Sequence, residues 1–177
     1  MNDVVKTAWA NATMNPDFFC IETYSGYGAT QLDPRGAQHI TALDTDNADL
    51  GNMILDALSH SRFVLPKPRS DVWIHPDTEF DAAFYDQDTM KKVYDDWQTK
   101  LILRFGYKNK QQLLKKMNNC GIHCVNDLIT ICPSNHDRLN GWSGDGLTDA
   151  DNVVIPADST AAEIGAALRL AFSRCIG

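Results

Sequence analysis

Long apolar runs are absent from this 177-residue sequence, and none approaches the ~20 residues that a membrane-spanning helix needs. The first 16 residues have neither the basic start nor the apolar stretch of a secretory signal. We therefore expect a cytoplasmic protein with no membrane partner. A composition of 44% hydrophobic and 22% charged residues is typical of a folded chain, and the length suits one core. The prediction is a single domain over residues 1–177, with residues 1–16 as a loosely ordered N-terminal segment.

The motifs of common enzyme classes are also missing. There is no Gly-x-Gly-x-x-Gly, no Walker A sequence and no Gly-x-Ser-x-Gly elbow. The glycine-rich run at residues 141–146 is acidic, which disfavours phosphate, and predicts a flexible loop with an exposed Trp142. Ser134, His136 and Asp137 are close in sequence, but catalytic triads are assembled from distant segments. We predict no enzymatic activity and no cofactor, with a small hydrolase using His136 or Ser134 as an alternative.

Cysteine is too scarce and too irregularly spaced for a disulfide framework or a zinc knuckle. The five cysteines, an odd number in a chain without a secretory signal, indicate free and mostly buried thiols. One series superficially resembles zinc ligands: Cys120, His123, Cys124, Cys132 and His136. It lacks the Cys-x2-Cys spacing, and Cys132 lies in an apolar run. We expect no metal site, and stoichiometric zinc in the purified protein would support the alternative.

Charge is present in excess but is segregated along the chain. The net charge is −7. The acidic segment, residues 71–90, contains six acids and no Lys or Arg. The basic segment, residues 97–117, contains six bases and no acid, and the second acidic segment, residues 144–158, contains four acids and no base. Overall acidity disfavours a nucleic-acid binder and fits a basic protein partner, and segregation favours an electrostatically steered interface.

Hydrophobic periodicity predicts an α/β (α+β) domain in which about four helices cover a mixed sheet of short strands. The predicted helices are residues 49–63, 89–105, 109–119 and 160–174, the last with a capping box formed by Thr160 and Glu163. The predicted strands are residues 18–24, 39–43, 72–75, 128–132 and 153–155, and residues 134–150 are expected to form a loop.

Two strand–helix units are similar to each other at an offset of 114 residues. His39-Ile40-Thr41 and the helix with Gly51 correspond to Val153-Val154-Ile155 and the helix with Gly165. A glycine inside a helix costs about 1 kcal/mol relative to alanine. Its retention in both units predicts close approach of each helix to a sheet.

Several short motifs, taken in order, resemble one protein family. They are Asp49-Leu50-Gly51, Ala57-Leu58-Ser59-His60-Ser61-Arg62, Trp97, Phe105-Gly106-Tyr107-Lys108, Met117-x-x-Cys120, Ile129-Thr130-Ile131-Cys132-Pro133, Gly141-Trp142 and Glu163-Ile164-Gly165-Ala166-Ala167-Leu168. Their order and spacing resemble the CdiI immunity proteins of contact-dependent growth inhibition (CDI) systems. The resemblance implies a cytoplasmic protein that binds the C-terminal toxin domain of a CdiA protein one-to-one. It also implies that the toxin is a basic nuclease, first an RNase of ribonuclease A-like fold and second an EndoU-like RNase.

The candidate contact surface follows from charge and aromatic content. Aromatic anchors among carboxylates suit the capture of a basic protein, and the acidic segment contains Trp73, Phe80, Phe84 and Tyr85, with Tyr94 beside it. Trp73 is nevertheless expected to be a core residue. The predicted toxin-binding residues are Asp77, Glu79, Asp81, Asp86 and Asp88, with a second patch of Trp142, Asp145, Asp149 and Asp151. The alternative is a nucleic-acid-binding regulatory protein that uses the basic segment, although no direct nucleic-acid contact is expected.

Overall fold

The computed structural model describes residues 4–177, which form eleven strands and four α-helices. The strands are β1 (Ala8–Met14), β2 (Phe19–Tyr27), β3 (Ala29–Leu32), β4 (Gln38–Thr41), β5 (Val64–Leu65), β6 (Glu79–Phe80), β7 (Asn118–Val125), β8 (Leu128–Pro133), β9 (Asn135–Arg138), β10 (Gly141–Ser143) and β11 (Val153–Pro156). The helices are α1 (Asn47–Ser59), α2 (Gln87–Phe105), α3 (Lys110–Leu114) and α4 (Ala161–Ser173), with short 3-10 helices at Ala83–Tyr85 and Asp149–Asp151. Within residues 4–177, none of the helices combines the length and the apolar character of a membrane span.

One seven-stranded sheet organises the chain. Its strands run in the order β11-β8-β7-β1-β2-β3, and β4 pairs with the first half of β2. These pairings are antiparallel, whereas β5 and β6 form a separate parallel pair. The predicted single α+β domain of short strands with four helices is confirmed.

The N-terminal prediction is wrong for residues 8–14. These residues form β1, which lies between β7 and β2 in the middle of the sheet. Ala10 and Ala12 are buried, and Asn11 and Thr13, which alternate with them, are buried as well. Alanine alternates with larger or polar side chains along β1, and Thr13 is its one β-branched residue, so its sequence gives only a weak strand signal.

Three further local predictions need correction. Residues 72–75 form no strand, because the backbone N–H of His75 donates to the hydroxyl of Tyr27 in an irregular loop. The predicted helix over residues 109–119 stops at Leu114, and Gly121 lies inside β7 and does not end a helix. Residues 135–143 form the β9–β10 hairpin within the predicted loop. In each case tertiary pairing decides a conformation that local pattern leaves ambiguous.

The two similar strand–helix units pack against each other on one face of the sheet. Helices α1 and α4 cover a core that includes Phe19, Ile21, Ile129 and Ile131. A Cβ atom on Gly51 would overlap the backbone of Ala161, and a Cβ on Gly165 would overlap the backbone of Asn47. Because Asn47 and Ala161 are related by the same 114-residue offset, the contact is reciprocal. The predicted close approach is therefore real, but it joins helix to helix and not helix to sheet.

The opposite face of the sheet is more polar. It is covered by α2 and α3, whose buried residues Trp97, Leu101, Leu113 and Leu114 form a second cluster. Glu22 lies in β2 with only 2% of its surface exposed. Gln38 Nε2 donates to its carboxyl oxygen at 2.5 Å. Burial raises the pKa of Glu22 to about 7, although hydrogen bonds from Gln38 and Cys20 and the charge of Lys100 act in the other direction.

The close contact between α1 and α4 predicts that even an added methyl group destabilises the protein. Gly165→Ala should lower the free energy of unfolding by roughly 2–3 kcal/mol, because the added methyl group forces the helices apart. Gly144→Ala is the matched control, since nothing lies within 4 Å of that Cβ position. Urea denaturation compares the two variants. A Gly165→Ala protein as stable as the wild type would contradict the reciprocal contact.

Glu22 predicts a pH dependence of stability. Its folded pKa of about 7 lies above the ordinary value of 4.5, so its stabilising contribution is complete below about pH 4.5 and is lost as pH rises towards 7. Glu22→Gln should therefore gain stability over the wild type across this window, with an upper limit of roughly 3 kcal/mol. Glu163→Gln is the control of opposite sign, because hydrogen bonds from Thr160 lower the pKa of Glu163. Thermal unfolding from pH 4 to 8 measures both, and parallel curves for Glu22→Gln and wild type would contradict the assignment.

Candidate functional site: a candidate protein interface

The acidic segment is anchored to the sheet by one guanidinium. Arg62, which is 9% exposed, directs Nε to Asp33 Oδ2 at 2.6 Å and Nη2 to Asp33 Oδ1 at 3.1 Å. Its Nη1 lies 3.1 Å from Asp81 Oδ2 and 3.4 Å from Glu79 Oε2. The guanidinium also lies 5.3 Å from the ring centroid of buried Phe84. Bidentate pairing of this kind fixes geometry as well as charge.

Two of the five predicted acids in this segment have structural roles. Asp81 accepts hydrogen bonds from the Phe84 N–H and from Arg62. These bonds lower the pKa of Asp81 against the upward effect of desolvation. Asp86 caps α2, with Oδ2 2.8 Å from the Thr89 N–H. Asp81 and Asp86 therefore stabilise the fold through these hydrogen bonds. The capping role of Asp86 could have been predicted from its position just before the helix.

The other three predicted acids of the segment are exposed. Asp77 pairs with Lys6 at 2.9 Å, and this contact lowers the pKa of Asp77. Glu79 lies 3.4 Å from the Arg62 guanidinium, and Asp88 lies in the first turn of α2. Carboxylates in such positions can steer a basic partner, because they remain in contact with solvent.

Exposed aromatic side chains accompany these carboxylates. Trp73 is 51% exposed and Phe80 is 47% exposed, and Val72 is exposed beside Trp73. The prediction that Trp73 is a core residue is wrong. Its ring packs edge-on against His75, with 5.9 Å between the ring centroids. Of the other predicted aromatic anchors, Phe84 is buried, and the hydroxyl of Tyr85 donates to the Val64 carbonyl at 2.6 Å.

The second predicted patch is less available than the sequence indicated. Trp142 lies in β10 and not on a flexible loop; its indole N–H donates to the Met117 carbonyl at 2.8 Å, and its ring stacks on His136. Asp151 accepts hydrogen bonds from the N–H and hydroxyl of Thr148 and thereby caps a 3-10 helix. Asp145 and Asp149 are exposed. Trp142 and Asp151 are partly buried.

A small cavity of about 70 Å³, lined by both polar and aromatic side chains, lies between the sheet and α2. Its lining includes Asn11, Thr13, Glu22, Tyr94, Trp97 and Trp142. This volume is well below the roughly 300 Å³ of small-molecule sites. Cys20 is close to Glu22, but burial raises the pKa of its thiol, so it remains protonated. The cavity therefore offers no activated nucleophile and too little room for a cofactor.

The alternative sites are not assembled in the described part of the chain. Among residues 4–177 no three His, Cys, Asp or Glu side chains are grouped so as to hold a metal ion. The Ser134 hydroxyl donates to the Asn119 carbonyl, and His136 Nε2 lies 3.1 Å from the Leu139 carbonyl. The hydroxyl and the imidazole are thus engaged with different backbone groups.

Some side chains of the basic segment make contacts within the fold. Its buried apolar residues belong to the second core cluster, and Lys110 pairs with Asp95 at 2.7 Å. Lys100 contacts Gln38, next to Glu22. Lys108, Lys115 and Lys116 remain exposed.

Known proteins are similar to this chain along nearly its whole length. The family model "CdiI: CDI immunity protein" matches residues 8–175. The immunity protein CdiI-YPIII of Yersinia pseudotuberculosis serotype O:3 (strain YPIII) is 54% identical over 177 residues, which is 100% of both chains.

Two solved structures share the fold. A chain from a CdiA-CT/CdiI toxin and immunity complex of Yersinia pseudotuberculosis superposes with a TM-score of 0.95 at 53% identity, covering 98% of this chain and 99% of that one. A protein of unknown function from Neisseria meningitidis superposes with a TM-score of 0.82 at 35% identity, covering 99% of each chain. The resemblance indicated by the ordered motifs is confirmed, and the protein belongs to the CdiI family of CDI immunity proteins.

Proposed function

We propose that this protein binds the C-terminal toxin domain of a cognate CdiA protein and neutralises it without catalysing a reaction. The observation that carries the proposal is the likeness, over 98% of the chain, to a protein solved in a CdiA-CT/CdiI toxin and immunity complex. The complex is one-to-one, and inhibition results from covering the active site or the substrate-binding surface of the toxin.

The toxin is a basic nuclease. A nuclease must attract the phosphate backbone, so its substrate surface is positively charged and fits an acidic inhibitor. The net charge of −7 supports this pairing. Our first candidate for the toxin is an RNase of ribonuclease A-like fold and our second is an EndoU-like RNase. Cleavage of RNA but not of DNA would support an RNase of either kind over a DNase.

The contact surface is centred on Trp73 and Phe80. Large aromatic side chains that are half exposed gain most from burial at an interface, and hot spots are enriched in Trp. The exposed carboxylates of Asp77 and Glu79 lie between these two aromatic residues in the sequence, and that of Asp88 lies eight residues after Phe80. All three attract the basic toxin. Asp145 and Asp149 are the remaining acidic candidates.

The function is tested by co-purification with the cognate toxin domain, followed by cleavage of RNA and of DNA with and without this protein. A stable one-to-one complex that abolishes cleavage is expected. Unchanged cleavage and no complex would contradict the proposal, and salt-sensitive binding of nucleic acid by this protein alone would instead favour the regulatory alternative.

Removal of the aromatic centre should weaken the complex. Trp73→Ala and Phe80→Ala should each cost about 2 kcal/mol or more, roughly a thirtyfold rise in Kd, because each removes an anchor from the interface. Leu103→Ala is the matched control, since Leu103 is 77% exposed on α2. Isothermal titration calorimetry measures all three. Weaker binding by the Leu103 variant alone would place the interface on the α2 side.

Removal of the exposed charges should act on association. The double change Asp77→Asn with Glu79→Gln should lower the association rate constant by roughly two- to tenfold at low salt and flatten its salt dependence, because both carboxylates act at long range. Asp44→Asn with Asp127→Asn changes the net charge equally at exposed positions outside the acidic segments. Stopped-flow association at two salt concentrations compares the pairs, and equal effects would show that total charge matters and not this segment.

A further inference from the structure

Two of the five cysteines lie side by side although 55 residues separate them in the chain. The Sγ atoms of Cys120 and Cys175 are 3.6 Å apart. Cys120 is fully buried in β7, in the core beneath α4. Cys175 lies two residues after the end of α4 and is partly exposed. This arrangement gives one thiol that a small oxidant can reach and one that is shielded behind it.

The two thiols also differ in acidity. Contact with the Cys120 thiol lowers the pKa of Cys175 to about 7, although desolvation opposes the change. The same contact, together with burial, raises the pKa of Cys120. At neutral pH the more accessible sulfur is therefore also the better nucleophile. A low-pKa, accessible cysteine beside a second thiol is the arrangement found in redox-sensitive pairs.

We propose that Cys175 and Cys120 form a peroxide-responsive dithiol, in which Cys175 is oxidised first and Cys120 then closes a disulfide. The Cys175 thiolate attacks one oxygen of hydrogen peroxide, the O–O bond breaks, and the released hydroxide takes up a proton to become water. The resulting sulfenic acid is attacked by the Cys120 sulfur, which gives up its proton as the S–O bond breaks and a second water leaves. Two thiols lose two electrons and two protons, and one peroxide is reduced to two waters.

The disulfide would fix the C-terminal segment to a central strand. Ile176, next to Cys175, accepts a hydrogen bond from the His136 N–H at 2.8 Å and donates to the Ser134 carbonyl at 3.1 Å. These bonds hold β9, which pairs with β10 and so positions Trp142. Oxidation should therefore stabilise α4, the C-terminal segment and the β9–β10 hairpin together, since a cross-link restricts the unfolded chain.

The proposal is tested on the full-length protein with hydrogen peroxide as the probe. After mild oxidation, free thiols are alkylated under denaturing conditions and the peptides are mapped by mass spectrometry. The expected product is a Cys120–Cys175 cross-linked peptide that lacks two hydrogen atoms and is restored by dithiothreitol. The oxidised protein should have a higher Tm and slower amide exchange in the β9–β10 hairpin.

Matched variants separate this pair from the other thiols. Cys132→Ser, which removes another partly exposed cysteine, should form the cross-link as the wild type does. Cys175→Ser should leave Cys120 free for alkylation and remove the rise in Tm. Cross-links spread equally over other cysteine pairs, or oxidation of Cys175 to the sulfinic acid with Cys120 still alkylatable, would overturn the proposal in the wild-type protein itself.

Discussion

The crossing of α1 and α4 is the constraint on which the rest of the fold depends. Gly51 and Gly165 let each helix backbone meet the first turn of the other, near Ala161 and Asn47. This reciprocal approach sets the spacing at which both helices cover the apolar face of the sheet, including Phe19 and Ile21. A side chain at either glycine would separate the helices and open that core, so the helical cost of glycine is offset by packing.

Because the core under α1 and α4 supplies most of the apolar burial, the opposite face of the sheet can contain polar residues. Asn11, Thr13 and Glu22 are buried there, under α2. Burial of such groups stabilises little in itself, but it fixes which partners they accept, as in the contact between Gln38 and Glu22. The face covered by α1 and α4 thus supplies most of the apolar burial, whereas the face covered by α2 contains the buried polar groups.

Local sequence predicted the elements that have local causes. Helices α2 and α4 have capping residues and apolar stripes that belong to single segments, and the Thr160–Glu163 capping box forms as predicted. Strands β1 and β7 were missed because their signal lies in pairing with distant strands. Asn11 faces Gly121 in the register, and neither residue indicates a strand by itself. The similarity of the two strand–helix units could be seen in the sequence. The contact between their helices could not, because similar sequences need not lie next to each other in the fold.

The sequence predicted which acidic and aromatic residues the candidate surface contains. It did not predict how those residues are paired in the fold. Lys6 and Arg62 lie outside the acidic segment, yet they pair with Asp77 and Asp81 and remove part of the negative charge that the sequence concentrates there. A cation pairing across the fold cannot be read from a run of acids. The surface that remains therefore differs from a uniform carboxylate field.

This pairing changes which residues can supply affinity to a partner. A carboxylate already held by Arg62 would have to exchange partners to bind a toxin, and that exchange gains little. The exposed rings of Trp73 and Phe80 give up no ion pair when a partner covers them, so their burial lowers the free energy of the complex. On this argument the solvent-exposed acids govern the rate of encounter through their long-range field, and the aromatic side chains govern the lifetime of the complex. Arg62 contributes to both, because it holds Glu79 and the segment that carries Phe80 against the sheet.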